Sequence, residues 1–134
     1  MSALAEARIR VSLFIEPDRR QLDAAKALGA PVVELHTGAY CEAFNAGGEI
    51  ADDELRRIAE AAWHGREIGL EVHAGHGITF DTVAPIARIP EIVELNIGHF
   101  LIGEAIFTGL AESIAVMRRL MSAARAETIG AVSV

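Results

Sequence analysis

Short apolar runs alternate with amphipathic segments four times along the chain. The runs at residues 9–15, 31–35, 70–74 and 92–97 have the length and the β-branched content of buried strands. Strands that are separated by helices pair in parallel through right-handed crossovers. The pattern therefore predicts an α/β fold with four parallel strands, each followed by helix.

The segments after the first two strands contain the first helix signals. Pro17 stands where a first helical turn tolerates proline, and the apolar positions Leu22, Ala25 and Leu28 predict a buried face that stops at Gly29. Asn45 and the glycines that follow it predict a long loop after the second strand, either functional or mobile.

The second helix is predicted from Asp52, which can act as its N-cap. Trp63 continues the apolar stripe and is assigned to the core, whereas His64 lies one position off the stripe and is expected in solvent. The remaining members of that stripe are Leu55, Ile58, Ala59 and Ala62.

The last third of the chain predicts a short helix from Asp81 or Thr82, a fourth strand, and a short extra helix that opens near Gly98. A longer helix follows, with its methionines as core filler. Its apolar positions are Leu110, Ile114, Met117, Met121 and Ala124. Residues 126–134 show no clear pattern and are expected to form a loose tail.

Composition narrows the classes of function. The chain has 134 residues, of which 51% are hydrophobic and only 5% aromatic, and this suits one unit (residues 1–134) with an aliphatic core. The net charge of −7 argues against nucleic acid and anionic membranes as partners. The single cysteine, Cys41, excludes an internal disulfide, and together with the lack of a signal peptide or membrane span it favours the cytoplasm.

Two strands end in a glycine beside a histidine. His76 stands between Gly75 and Gly77, and Gly98 precedes His99. Glycine-rich turns and the start of a short helix present backbone N–H groups to an anion, so neighbouring strands that end this way predict one phosphate-binding pocket. A histidine at such a turn can transfer a proton near neutral pH.

Other polar residues at strand ends leave alternatives open. Glu34 and His36 lie on one side of the second strand, and Glu34 could stabilise a developing positive charge. The histidines His36, His73, His76 and His99 allow a metal site, although their spacing matches no compact ligand motif and no metal is predicted. A purely structural role for the glycine turns also remains open.

Four motifs resemble one family in the right order. They are Arg10–Ile15 (RVSLFI), Glu34–Tyr40 (ELHTGAY), Ala74–Thr79 (AGHGIT) and Glu94–His99 (ELNIGH), and Leu120-Met121 also fits. Together they closely resemble pyridoxine 5′-phosphate synthase. The resemblance implies a TIM barrel that condenses 3-amino-2-oxopropyl phosphate with 1-deoxy-D-xylulose 5-phosphate in vitamin B6 biosynthesis, with no cofactor.

The resemblance also implies roles for individual residues. His76 matches the family's proton donor, and Glu34 matches the carboxylate that stabilises the transition state. Gly77, Gly98 and His99 match positions that hold the phosphorylated aminoketone. His73 departs from the family, which usually has asparagine there.

The resemblance covers only the carboxyl-terminal half of the family's barrel. Residues 3–7 resemble the end of the fourth barrel helix, and the bases and arginines of the missing half have no counterpart here. Half a barrel has two free strand edges and an uncovered inner face, expected to be apolar. A second copy or a separate amino-terminal half could cover that face; alternatively, the chain is a truncated product that folds poorly.

The sequence therefore predicts half of a TIM (β/α)8 barrel with little or no synthase activity on its own. One alternative is a non-catalytic, self-associating, phosphate-binding half-barrel, and another is a metal-dependent enzyme of the same architecture. A Schiff-base aldolase is disfavoured, because the only lysine, Lys26, lies on a predicted helix.

Overall fold

The centre of the fold is a four-stranded parallel sheet. The structure is a computed structural model, and it describes residues 2–47 and 50–131. The strands run in the order β1-β2-β3-β4, and all three pairings are parallel. Their bounds are Ser12–Ile15 (β1), Val32–His36 (β2), Glu71–Gly75 (β3) and Ile92–Asn96 (β4). This order confirms the four-stranded half-barrel topology expected from the sequence.

Helices precede β1 and follow each strand. Within the described ranges they are α1 (Ser2–Glu6), α2 (Arg19–Ala27), α3 (Gly38–Ala46), α4 (Ile50–Glu67), α5 (Val83–Ala87), α6 (His99–Thr108) and α7 (Leu110–Ala131). No helix within residues 2–47 and 50–131 combines the length and hydropathy that a membrane crossing requires.

The outer face of the sheet forms the core with the helices. Val33 and Leu35 of β2 are fully buried, and they pair with Val72 and Ala74 of β3, which are also buried. On the helix side, the core includes Leu22, Ile58, Ile86 and Met117. Side chains alternate along a strand, so an apolar outer face leaves every second residue for the inner face.

The inner face is polar, which contradicts the expected apolar interior. Phe14, Glu34, His73 and Glu94 lie side by side in one row across the four strands. Three of these four side chains are ionisable, and His73 is buried between two carboxylates. The free inner face is therefore a charged surface.

Trp63 is the clearest error in the predicted core. Its exposed fraction is 54%, and the buried face of α4 uses small residues such as Ala61 and Gly65 instead. A Cβ at Gly65 would lie 2.8 Å from Cγ2 of Val72, so α4 approaches the sheet too closely for a large side chain there. The close approach of α4 to the sheet decides which face of the helix is buried, and the periodicity of the sequence does not contain this distance.

His64 is buried, although its position off the stripe predicted a solvated side chain. Its Nε2 lies 2.7 Å from the carboxylate of Asp23, and its Nδ1 lies 3.3 Å from Nη2 of Arg19. Both partners come from α2. A buried imidazole is stable when both ring nitrogens have partners, and these partners are more than forty positions away in sequence.

Several segment assignments also change. The loop predicted around Asn45 is the end of α3, which ends at Gly47 in the left-handed conformation (φ 71°), whereas residues 48 and 49 lie outside the described residues. Leu28 is 61% exposed because α2 ends at Ala27.

The chain termini differ from the sequence prediction too. β1 begins at Ser12 rather than Ile9, after a left-handed residue at Arg8 (φ 58°). In the expected loose tail, residues 126–131 continue α7 instead, and Glu127 pairs with Arg88 at 2.6 Å, whereas residues 132–134 lie outside the described residues. This ion pair joins the end of α7 to the residue that follows α5.

Candidate active site

One pocket lies at the carboxyl ends of the strands. It has a volume of about 460 Å³ and an open mouth between the segments that follow β3 and β4. Five residues predicted for the site line it: Glu34, His76, Gly77, Gly98 and His99. The other lining residues are Phe14, Ile78, Thr79, Asn96, Ile97 and Phe100.

The turn after β3 has an unusual backbone. His76 and Gly77 both adopt positive φ angles, 79° and 81°, and a non-glycine residue rarely does so. The buried Thr37 holds the turn, because its Oγ1 lies 2.8 Å from the carbonyl oxygen of Gly75 and 2.6 Å from that of His76. Thr37, the residue that follows β2, thus fixes the backbone from which the His76 imidazole projects.

The space beneath this turn is filled by Cys41. A Cβ at Gly77 would lie 3.2 Å from the Cβ of Cys41, so the turn rests directly on α3. Burial raises the pKa of the Cys41 thiol, which keeps it protonated and unreactive at neutral pH. Cys41 therefore serves as a buried packing residue beneath the turn.

The second wall of the pocket is the start of α6. Gly98 is the N-cap residue and offers no side-chain cap, and the first turn, which begins with His99, contains no acidic residue. The first N–H groups of a helix lack intrahelical acceptors and carry partial positive charge. In the described residues, the N–H groups of Gly77 and Gly98 also have no acceptor. These donors give the pocket the chemistry of an anion site.

The floor of the pocket contains a pair that the sequence did not reveal. Nδ2 of Asn96 donates to Oε2 of Glu34 at 2.8 Å, which fixes the carboxylate across β3. Gly75 lies between them in the sheet, and a Cβ there would overlap Oε1 of Glu34. Asn96 follows Glu94 by two positions, and strand alternation could have predicted from the sequence that both side chains lie on the inner side of β4.

His36 lies beside the pocket rather than in its lining. Its Nδ1 lies 3.0 Å from Oε1 of Glu16, and Oε2 of Glu16 accepts from Arg57 at 2.9 Å. The His36 ring is 4.7 Å from the ring of His76, centroid to centroid, and 5.2 Å from that of Phe14. The three rings form one cluster at the edge of β1.

His73 lies apart from the pocket, on the inner face. Its Nε2 is 2.8 Å from Glu71 and its Nδ1 is 3.3 Å from Glu94, while Arg10 pairs with Glu71 at 2.6 Å. The bonds from His73 and Arg10 lower the pKa of the Glu71 carboxyl. At the position where the resemblance implies asparagine, the chain has a histidine whose ring contacts carboxylates of both β3 and β4.

The metal-dependent alternative requires a group of ligating side chains. Within residues 2–47 and 50–131, no three histidine, cysteine, aspartate or glutamate side chains come together in a way that could hold a metal ion. The Schiff-base alternative also lacks its amine, because Nζ of Lys26 donates to the carbonyl oxygen of Gly69, outside the pocket lining.

Comparison with known proteins decides the family. A family model described as "Pyridoxal phosphate biosynthesis protein PdxJ" matches residues 1–123. The chain belongs to the PdxJ family. This confirms the resemblance on which the sequence interpretation depended.

Curated PdxJ relatives are similar over nearly the whole chain. A protein of Rhodospirillum rubrum named "Pyridoxine 5'-phosphate synthase" is 65% identical over 124 residues, which are 92% of this chain and 49% of that protein. A protein of the same name from Zymomonas mobilis is 61% identical over 95% of this chain and 48% of its own length. Another from Roseobacter denitrificans is 59% identical over 94% of this chain and 51% of its own length. The chain thus spans about half the length of the curated relatives it matches.

Proposed function

We propose that this chain supplies the phosphate-binding and proton-donating half of a pyridoxine 5′-phosphate synthase site. The observation that carries the proposal is that His76, Gly77, Gly98 and His99 line one pocket. The substrates would be 3-amino-2-oxopropyl phosphate, held by this half, and 1-deoxy-D-xylulose 5-phosphate. We treat residues 1–134 as one half-barrel unit that acts in the cytoplasm.

The phosphate would bind between the turn after β3 and the start of α6. Free N–H groups at Gly77 and Gly98 point to an anion, and the helix N-terminus adds a favourable field. His99 opens α6 and can donate a further hydrogen bond from its ring. No acidic side chain stands in the first turn of α6 to oppose a dianion.

Proton transfer would fall to His76. His76 lines the pocket, and its side-chain hydrogen-bond partners among the described residues contact its carbonyl oxygen rather than its ring, so both ring nitrogens are available to a substrate. Glu34, oriented by Asn96, lies in the same pocket and can stabilise positive charge that develops on the condensing amine. A donor and a carboxylate in one pocket suit a condensation that releases water.

The open half-barrel needs a partner, and we propose a separate amino-terminal half. The edges of β1 and β4 are free within the sheet, and the inner face carries the carboxylates of Glu34, Glu71 and Glu94. A second copy would bring the same carboxylates to the barrel interior, where like charges repel. A basic partner surface complements this face better.

Reconstitution tests the proposal. The chain alone, supplied with both substrates, should give little or no product, and adding the separately produced amino-terminal half of the Rhodospirillum rubrum relative should restore turnover. His76→Asn should abolish the restored activity, while Asp53→Asn, an exposed change on α4, should leave it unchanged. Normal turnover by the chain alone would contradict the proposed division of the site.

Sedimentation of the chain alone distinguishes the self-associating alternative. A defined dimer that binds inorganic phosphate, with no activity after the amino-terminal half is added, would favour the non-catalytic half-barrel. A monomer, or an unstable chain that becomes a defined one-to-one complex with the amino-terminal half, would support the proposal.

A further inference from the structure

The imidazole of His76 is held only by packing, whereas Thr37 holds its backbone. His76 projects from a left-handed backbone position, its side chain is exposed, and its side-chain hydrogen-bond partners within residues 2–47 and 50–131 contact only its carbonyl oxygen. An exposed histidine side chain would otherwise sample several rotamers. The orientation of this ring must therefore come from its neighbours.

Two contacts define that orientation. A Cβ at Gly38 would lie 3.2 Å from Cδ2 of His76 and 2.8 Å from Cε1 of His36, so both imidazoles rest on this glycine. The two rings are tilted by 44° with centroids 4.7 Å apart. Phe14 closes the group at 6.3 Å from His76.

His36 is anchored by a residue outside the ring cluster. Its Nδ1 contacts the carboxylate of Glu16, which also accepts a hydrogen bond from Arg57. These contacts join the end of β2 to the segment after β1 and to α4. Partly exposed ion pairs such as these contribute little to stability, so their effect here is chiefly geometric. Neither Glu16 nor Arg57 lines the pocket.

We propose that His36 is a positioning residue for His76, and that Glu16 and Arg57 hold His36 in place. This inference rests on the proposed function, in which His76 donates the proton. His36 does not line the pocket and acts only through the ring that it contacts. Without His36, the His76 ring loses the nearer of its two aromatic neighbours and leaves the orientation that faces the pocket.

Nuclear magnetic resonance of histidine-labelled protein tests the inference without an activity assay. The wild-type chain should show a nuclear Overhauser effect between Hδ2 of His76 and the Hα protons of Gly38, since these groups are in contact. His36→Asn can keep the bond to Glu16 but removes the ring, and should reduce the intensity of this effect relative to the wild-type chain.

A second readout separates positioning from general damage. Inorganic phosphate should shift the ring signals of both His76 and His99 in the wild-type chain. In His36→Asn and Glu16→Gln, the phosphate-induced shift should fall at His76 and persist at His99. Asp53→Asn is the matched control, because it neutralises a carboxylate of an exposed ion pair on α4 that has no contact with this group.

Each outcome decides a separate question. Wild-type intensity of the His76–Gly38 effect in both His36→Asn and Glu16→Gln would overturn the inference. If His36→Asn fails to fold, Glu16→Gln alone decides, since Glu16 is about half exposed. If phosphate shifts no ring in the wild-type chain, the proposed function fails, while the Overhauser comparison still tests whether His36 orients His76.

Discussion

Replacing Gly75 with alanine tests the packing beneath the pocket. The new Cβ would lie 2.7 Å from the carbonyl oxygen of Asn96 and 3.2 Å from its Cβ, and would overlap Oε1 of Glu34. The Glu34 carboxylate can swing away, but the Asn96 carbonyl belongs to the backbone of β4. The variant must therefore lose the Glu34–Asn96 hydrogen bond and also push β4 outward.

The cost can be worked out from these two effects. Overpacking of this kind costs about 1–3 kcal/mol, and a hydrogen bond to a charged group contributes roughly 1.5–3 kcal/mol. The second figure must be discounted because the Glu34–Asn96 bond is exposed. We expect Gly75→Ala to lower the free energy of unfolding by roughly 2–4 kcal/mol, measured by urea denaturation.

Gly103→Ala is the matched control. Gly103 lies inside α6, and no atom lies within 4 Å of the position that its Cβ would take, so alanine there should raise stability by about 0.5–1 kcal/mol. Adding Glu34→Ala to Gly75→Ala should recover about 1 kcal/mol, because the contact with the Asn96 carbonyl remains. A free energy of unfolding for Gly75→Ala within about 0.5 kcal/mol of wild type would show that Gly75 is not closely packed against Asn96 and Glu34.

Three further predictions follow from the described contacts. Burial raises the pKa of Tyr40 to about 12, so phenolate absorbance, which reports the only tyrosine, should titrate there in the folded chain and near ~10 in denaturant; stability should fall as pH rises through this interval, and less so in Tyr40→Phe. His73 and Arg10 lower the pKa of Glu71, so the Glu71 carboxylate should stabilise the fold above about pH 4.5. This stabilisation should be lost as the pH falls through the lowered pKa, and Glu71→Gln should make stability depend less on pH in that range. Arg125 donates to the backbone carbonyl groups of Ile89, which follows α5, and Ile92, the first residue of β4, so Arg125→Met should lower the free energy of unfolding by roughly 2–3 kcal/mol, measured by denaturant unfolding.

The order of strands and helices was predictable because it depends on local patterns. Periods of two and of about 3.6 residues, with glycine and proline at the boundaries, identified all four strands and most of the helices. The glycine-histidine turns also came from local sequence, and the parallel topology then placed His76 and His99 in one pocket. Parallel strands bring their carboxyl ends to the same edge.

What the sequence missed depends on contacts between distant residues. Trp63 faces outward because α4 packs closely on β3 through small residues, and His64 is buried because α2 supplies its partners. Asn96 gains its importance from a bond to a residue 62 positions away. Helical periodicity measures the phase of an apolar face, but it does not measure the distance to the neighbouring element.

The polar inner face has a similar explanation. An uncovered sheet face was expected to be apolar by analogy with buried parallel sheets. In this chain the inward positions of β2, β3 and β4 include Glu34, His73 and Glu94, and the strand register brings them into one row. Register depends on how strands pair, so the alignment of these charges was not visible along a single strand.

Titration of the chain with inorganic phosphate, followed through the ring signals of His76 and His99, tests the shared pocket most directly. Signals are assigned with His76→Asn and His99→Asn. We expect both rings to respond along one saturation curve with the same midpoint, because one anion would contact the turn after β3 and the start of α6. Two different midpoints, or a response at only one ring, would contradict a shared phosphate site.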